Sequence, residues 1–120
     1  MDINKLFSNR KLLESKYAFF VNKGLIVNIG ENEELVQAHL EKAKHNMLFF
    51  DKNFNDSQFN DWLIVTLYYA LYHAVLALIV KKGYSSKNHT ASLTFLIKYY
   101  SELKGDIFFS TRTINKKRRR

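Results

Sequence analysis

Residues 62–80 read WLIVTLYYALYHAVLALIV, and this run constrains the chain more than any other stretch. Seventeen of its nineteen residues are apolar or aromatic, with only Thr66 and His73 interrupting. No Gly or Pro breaks it, and Leu and Ala favour helix. Asn55, Asp56 and Ser57 offer N-caps upstream. Lys81 and Lys82 stand where a helix C-terminus favours cations, and Gly83 stands at the stop position. These signals predict one helix over residues 58–82. A helix apolar on nearly every side is enclosed by neighbours rather than laid on a surface.

Lipid or protein could enclose it. Nineteen residues at helical rise reach about 28 Å, enough for a bilayer core. Against that, Tyr68, Tyr69, Tyr72 and His73 sit mid-run, whereas membrane helices keep their polar aromatics at the ends. Ala70, Ala74 and Ala77 form a stripe along which another helix can approach closely in either solvent. The rest of the chain also supplies amphipathic helices to cover it, so we read a soluble domain with no membrane contact. The first residues, MDINKLFSNRKLL, lack the apolar centre of a signal peptide. With no Cys, neither disulfides nor thiolate metal sites are available. The expected location is cytoplasmic.

The 120 residues suit one domain, 1–120. Four glycines and no proline divide it into periodic segments, a helical pattern. Ser8 can cap a first helix carrying Leu12, Leu13, Tyr17, Phe20 and Val21, stopping near Gly24. Residues 25–29 (LIVNI) could be extended, but no partner strand is evident. Asn32 caps a second amphipathic helix, with Glu33 and Glu34 in its first turn. Val36, Leu40, Ala43, Met47, Phe50 and Phe54 make its apolar face, which packs on the central helix. A further helix over 88–103 turns Leu93, Leu96, Ile97, Tyr100 and Leu103 inward. Residues 106–120 begin a last helix that the sequence leaves incomplete. The predicted fold is all-α, an antiparallel up-and-down bundle of four to five helices. So much apolar surface on one helix also predicts a self-association face, a homodimer.

The net charge of +8 is uneven. Residues 106–120 hold six basic side chains and one acid, a pattern that fits either a polyanion partner or a solvated tail. His73 is the one side chain in the central run before Lys81 that titrates near neutral pH. It is either a core histidine bonded to a neighbour or a site residue at the mouth of an interhelical groove. Lys87 and His89 stand at a helix start where N–H groups can hold phosphate, unless Ser86 or Asn88 simply caps it. No HExxH, CxxC, GxGxxG or Walker sequence occurs, and acids are sparse beyond the second helix. No metal and no cofactor is expected. Aromatics interleaved with bases at 98–100 and 108–112 suit single-stranded nucleic acid, and equally suit an ordinary core helix.

Residues 61–100 resemble the HEPN domains. The similarity lies in Tyr68-Tyr69-Ala70, His73-Ala74, Ala77-Leu78, Gly83 and Lys87-Asn88-His89, with Leu40-Glu41-Lys42-Ala43 in the preceding helix. Lys23-Gly24-Leu25-Ile26 is similar to a small prokaryotic subgroup. The resemblance implies an antiparallel helical bundle, usually a homodimer with a basic cleft. It implies one of two roles: a metal-independent ribonuclease using an R-x(4–6)-H motif, or a nucleotide- or RNA-binding module. The second kind includes partners of a minimal nucleotidyltransferase in toxin–antitoxin operons. No histidine follows Arg112 or Arg118 here, so the motif is not found. The expectation is therefore a non-catalytic binding module, with Tyr69, His73, Lys87, His89, Arg112 and Arg118 as candidate nucleotide- or RNA-binding residues. The alternatives are a ribonuclease truncated in its last helix and a structural dimerisation protein.

Overall fold

Amphipathic segments and glycine stops produce five α-helices and one short β-ribbon in the computed structural model, which describes residues 3–55 and 57–100. The helices are α1 (Ile3–Ser8), α2 (Arg10–Asn22), α3 (Glu33–Asn53), α4 (Asn60–Lys81) and α5 (His89–Tyr99). A 3-10 turn, Ser57–Phe59, precedes α4. Strands β1 (Ile26–Asn28) and β2 (Tyr84–Ser86) pair with each other. The fold is mainly helical, as the sequence predicts, and its described residues fall into two compact units, one within 27–86 and one of 3–26 with 87–100.

In the unit of residues 27–86, α3 and α4 form an antiparallel hairpin. Asn32 caps α3, its Oδ1 accepting from the Leu35 N–H at 3.0 Å. Glu33 and Lys81 bring the start of α3 level with the end of α4 at 3.5 Å. Both ends of this pair are well exposed, so it marks the register more than it stabilises the hairpin. Burial does that work. Val36, Ala77 and Val80 form a buried cluster, with Leu35 and Leu40 packed on it. The same register puts Ala43 level with Ala70, and both are buried, so the two backbones approach closely there.

Toward the hairpin's turn this enclosure stops. Met47 and Phe54 continue the apolar face of α3 yet are exposed, Phe54 at 63%. On α4, Trp62 (66%), Ile64, Val65, Tyr68, Tyr69 and Leu71 are exposed as well. Over the first half of α4 the described residues bury one stripe, Leu63 and Ala70, and leave the wide face opposite open. By length and composition α4 could cross a membrane, with a mean hydropathy of 2.1 over its most apolar window. No side chain caps its start; Phe59 takes the N-cap position in place of the residues expected there.

The ribbon corrects a second expectation, since residues 26–28 do have a partner strand. Lys87 donates to the Leu25 carbonyl at 2.9 Å, and Ile29 and Gly30 both donate to Gly83 O at 2.8 and 3.1 Å. Residues 25 and 29 therefore lie opposite 87 and 83, an antiparallel register. Gly83 enables the turn between α4 and β2 because its φ is +89°, a region where a side chain is strained.

The other unit joins α1, α2 and α5. Ser8 ends α1, its Oγ bonding Asn4 O, and Asn9 rather than Ser8 caps α2. Leu6, Leu13 and Ile97 form its buried cluster, flanked by Phe7 and Leu12. Lys98 pairs with Glu14 at 2.7 Å and lies 4.9 Å from the Tyr17 ring centre. The Tyr17 and Tyr99 hydroxyls meet at 3.1 Å. On α5, Ile97 and Leu96 are buried as expected and Leu93 is half-buried, while Leu103 lies outside the described residues.

Gly83→Ala is expected to lose about 1–2 kcal/mol in urea unfolding, the cost of a left-handed non-glycine residue. Gly83→Asn should recover part of it, because Asn tolerates that region. Equal losses for both would place the cost in contact rather than in backbone strain.

Candidate functional site

His39 lies in the second turn of α3 and His73 two-thirds of the way along α4. Their sequence separation is 34, and only the hairpin register brings them together. The two Nδ1 atoms are 3.1 Å apart and the ring centres 5.4 Å apart, with the planes 28° from parallel. The excess of the second distance over the first is what two ring radii occupy when both nitrogens lie between the centres. The rings therefore meet head-on through their Nδ1 edges rather than face to face.

That geometry dictates the protonation pattern. A contact between two Nδ1 atoms is a hydrogen bond only if one carries a proton and the other a lone pair. In the neutral pair one imidazole is the Nδ1–H tautomer and its partner the Nε2–H tautomer. Both Nε2 atoms point away from the contact, and neither bonds to a described residue. No buried side-chain polar atom among the described residues lacks a partner, so these two unpaired nitrogens face solvent.

Lys42 stands three residues beyond His39, one turn along the same helix face. Burial, followed by the fields of His73 and Lys42, holds His39 below the ordinary histidine value. For His73 the causes are burial and then Lys42, in the same direction. Tyr72 packs edge-on against His73, with ring centres 6.3 Å apart, and lies near-parallel to Tyr68. The site thus combines two neutral imidazoles, a lysine and a tyrosine-rich wall.

Of the residues expected from sequence, His73 is in this cluster and Tyr69 lies exposed on the same helix. Lys87 and His89 are exposed and belong to the other unit. There Asn88 caps α5, its Oδ1 accepting from the Ala91 N–H at 2.7 Å. This is the ordinary capping alternative to a phosphate site. Arg112 and Arg118 lie outside the described residues. His39 was not foreseen. Its signal is weak: a histidine beside the apolar stripe and one turn before Lys42, whose partner is visible only once α3 and α4 are in register. The groove along the first turns of α3 is lined by Glu33, Glu34, Gln37, Ala38 and Glu41, three carboxylates that repel phosphate. Among the described residues no group of three or more His, Cys, Asp or Glu is placed to hold a metal ion.

An antiparallel hairpin with a polar, histidine-bearing centre, set among further helices, defines a small helical module. The HEPN domain profile matches residues 36–119, well over half of the sequence, and the chain belongs to the HEPN family. HEPN domains are nucleotide- and RNA-related modules. Comparison with curated proteins and with solved structures gives no match.

Lys42→Gln should raise both histidine pKa values toward 6.5 when imidazole resonances are followed by NMR, because a shared repelling charge is removed. Stability follows the sign of these shifts. With folded values depressed, the unfolded chain binds more protons, so stability is complete above the unfolded value of about 6.5 and declines as pH falls toward the folded values. A His39→Leu, His73→Leu double variant should flatten that decline in urea unfolding, and an unchanged pH profile would contradict it.

Proposed function

We propose that this chain is a nucleotide- or RNA-binding HEPN module that binds without cleaving. The observation that carries the reading is the His39–His73 pair beside Lys42, a polar and potentially cationic site within a domain of a nucleotide- and RNA-related family. The net charge of +8 supports a polyanionic ligand, and Tyr69 offers an exposed ring for stacking. Lys87, His89, Arg112, Arg118 and the basic run 116–120 supply long-range attraction in this reading. A minimal nucleotidyltransferase of a toxin–antitoxin type pair is the proposed protein partner, and the cytoplasm the proposed location.

The open face of α4 supports a homodimer. Large aromatic side chains each present on the order of 150–250 Å². Trp62, Tyr68, Phe49, Phe54 and Phe59, all about half exposed, with the neighbouring aliphatics Ile64, Val65 and Leu71, approach the ~800 Å² that one partner gives a standard interface. Asp61 is the only charged residue between Trp62's neighbour and Leu71 on α4, which suits an apolar, two-fold contact.

Replacing Lys116, Lys117, Arg118, Arg119 and Arg120 with neutral residues should flatten the salt dependence of RNA binding. Each lost phosphate contact removes about 0.7 from the log–log slope for a single strand. A salt-independent affinity in the unaltered chain would remove the electrostatic arm. Strong RNA cleavage by this chain would overturn the binding-only reading. A Trp62→Asp, Ile64→Asp variant should sediment as a monomer where the unaltered chain sediments as a dimer without detergent. A monomer in both would refute the dimer, and a need for detergent would favour a membrane helix.

A further inference from the structure

The His39–His73 contact has a consequence for what it binds and when. In the neutral pair one outward Nε2 carries a hydrogen and the other presents a lone pair. The two outward nitrogens are then one donor and one acceptor, a poor match for an anion. Adding a proton to the bare Nε2 changes both features. That ring becomes an imidazolium, still donating through Nδ1 to its partner in a stronger, charge-assisted bond. Both outward nitrogens are now donors, and Lys42 adds a cation one turn away. A second proton has no place, since two Nδ1–H groups would face each other across 3.1 Å.

We propose that His39 and His73 form a one-proton anion receptor: binding of a phosphodiester or similar oxyanion at their Nε2 atoms and Lys42 draws one proton from solvent onto the pair. This rests on the nucleotide- or RNA-binding reading and adds its regulation by pH. The free pair stays neutral because Lys42 and burial oppose its charge. The anion cancels the field of Lys42 and stabilises the imidazolium, so affinity rises as pH falls.

The surrounding elements do not compete for this role. On α3 the charged group acting on both rings is Lys42. On α4 the titratable neighbour is Tyr72, edge-on to His73. Strand β2, packed on α4, brings Tyr84 and no charge, and the turn Ser57–Phe59 brings no titratable group. Among the described residues no carboxylate shifts either histidine, so within them the pair lacks an anion and is left to recruit one.

Calorimetric titration of the 120-residue chain with a uridine hexanucleotide tests this. Neither its phosphodiesters nor its bases titrate across the range about pH 5.5–8 where histidine does. Repeating the titration in buffers of different ionisation enthalpy counts the protons taken up. The expected result is uptake approaching one proton per site, with affinity rising by up to about tenfold per pH unit on acidification. His39→Asn and His73→Asn should each abolish the uptake while circular dichroism shows the helices retained. Lys42→Gln should weaken binding but keep some uptake. Hexanucleotide binding without proton uptake, or with uptake unchanged in His39→Asn, overturns the receptor and leaves the RNA-binding reading standing. Sulfate, which does not titrate in this range, separates the remaining cases. One proton taken up with sulfate but no hexanucleotide bound upholds the receptor and refutes RNA binding. No binding of either probe overturns both.

Discussion

Everything in the proposed site depends on the antiparallel packing of α3 against α4. Two histidines 34 residues apart meet only because Val36, Ala77 and Val80 are buried together and Ala43 lies level with Ala70. Small residues at Ala70 and Ala77 let the helices approach closely enough for two imidazoles to touch edge to edge. A larger residue at either position would widen the hairpin and break a contact that tolerates only a few tenths of an ångström. The apolar packing therefore sets the chemistry. The exposed Glu33–Lys81 pair contributes little beside it.

The hairpin has two different halves. Its closed half, near Gly30 and Gly83, buries Val36, Ala77 and Val80 and is fixed by backbone bonds from Ile29 and Gly30 to Gly83 O. Its open half, toward the 3-10 turn, keeps Trp62, Ile64 and Phe54 in solvent. The histidine pair lies between these halves, partly buried on one side and open at both Nε2 atoms. This position gives it depressed basicity together with access for a ligand, a combination that neither a fully buried nor a fully exposed pair would have.

Much of this was legible in the sequence. The span of α4 follows from an unbroken apolar run ending at Lys81, Lys82 and Gly83, and the structure moves its start only to Asn60. The face of α3 and its Asn32 cap follow from spacing and acid placement. The β1–β2 pairing was not legible, since three-residue strands carry no periodicity and nothing in residues 84–86 marks a partner for residues 25–29. The exposure of Trp62, Ile64, Val65, Tyr68, Tyr69 and Leu71 shows that the described residues alone do not enclose this all-round apolar helix. Periodicity reports what a helix could bury, not whether its own chain supplies the cover. His73 stood out because it interrupts an apolar run. His39 did not, because a polar residue beside an amphipathic stripe is unremarked until its partner is placed.

The most direct test of the account is the tautomeric state of the two imidazoles at neutral pH, read from long-range proton–nitrogen NMR correlations on uniformly labelled protein. The account predicts opposite tautomers, His39 and His73 sharing one Nδ1-bound proton between them, with a nitrogen–nitrogen coupling across the hydrogen bond. Two identical Nε2–H tautomers with no coupling would mean that the nitrogens do not share a proton, and the central claim would fail.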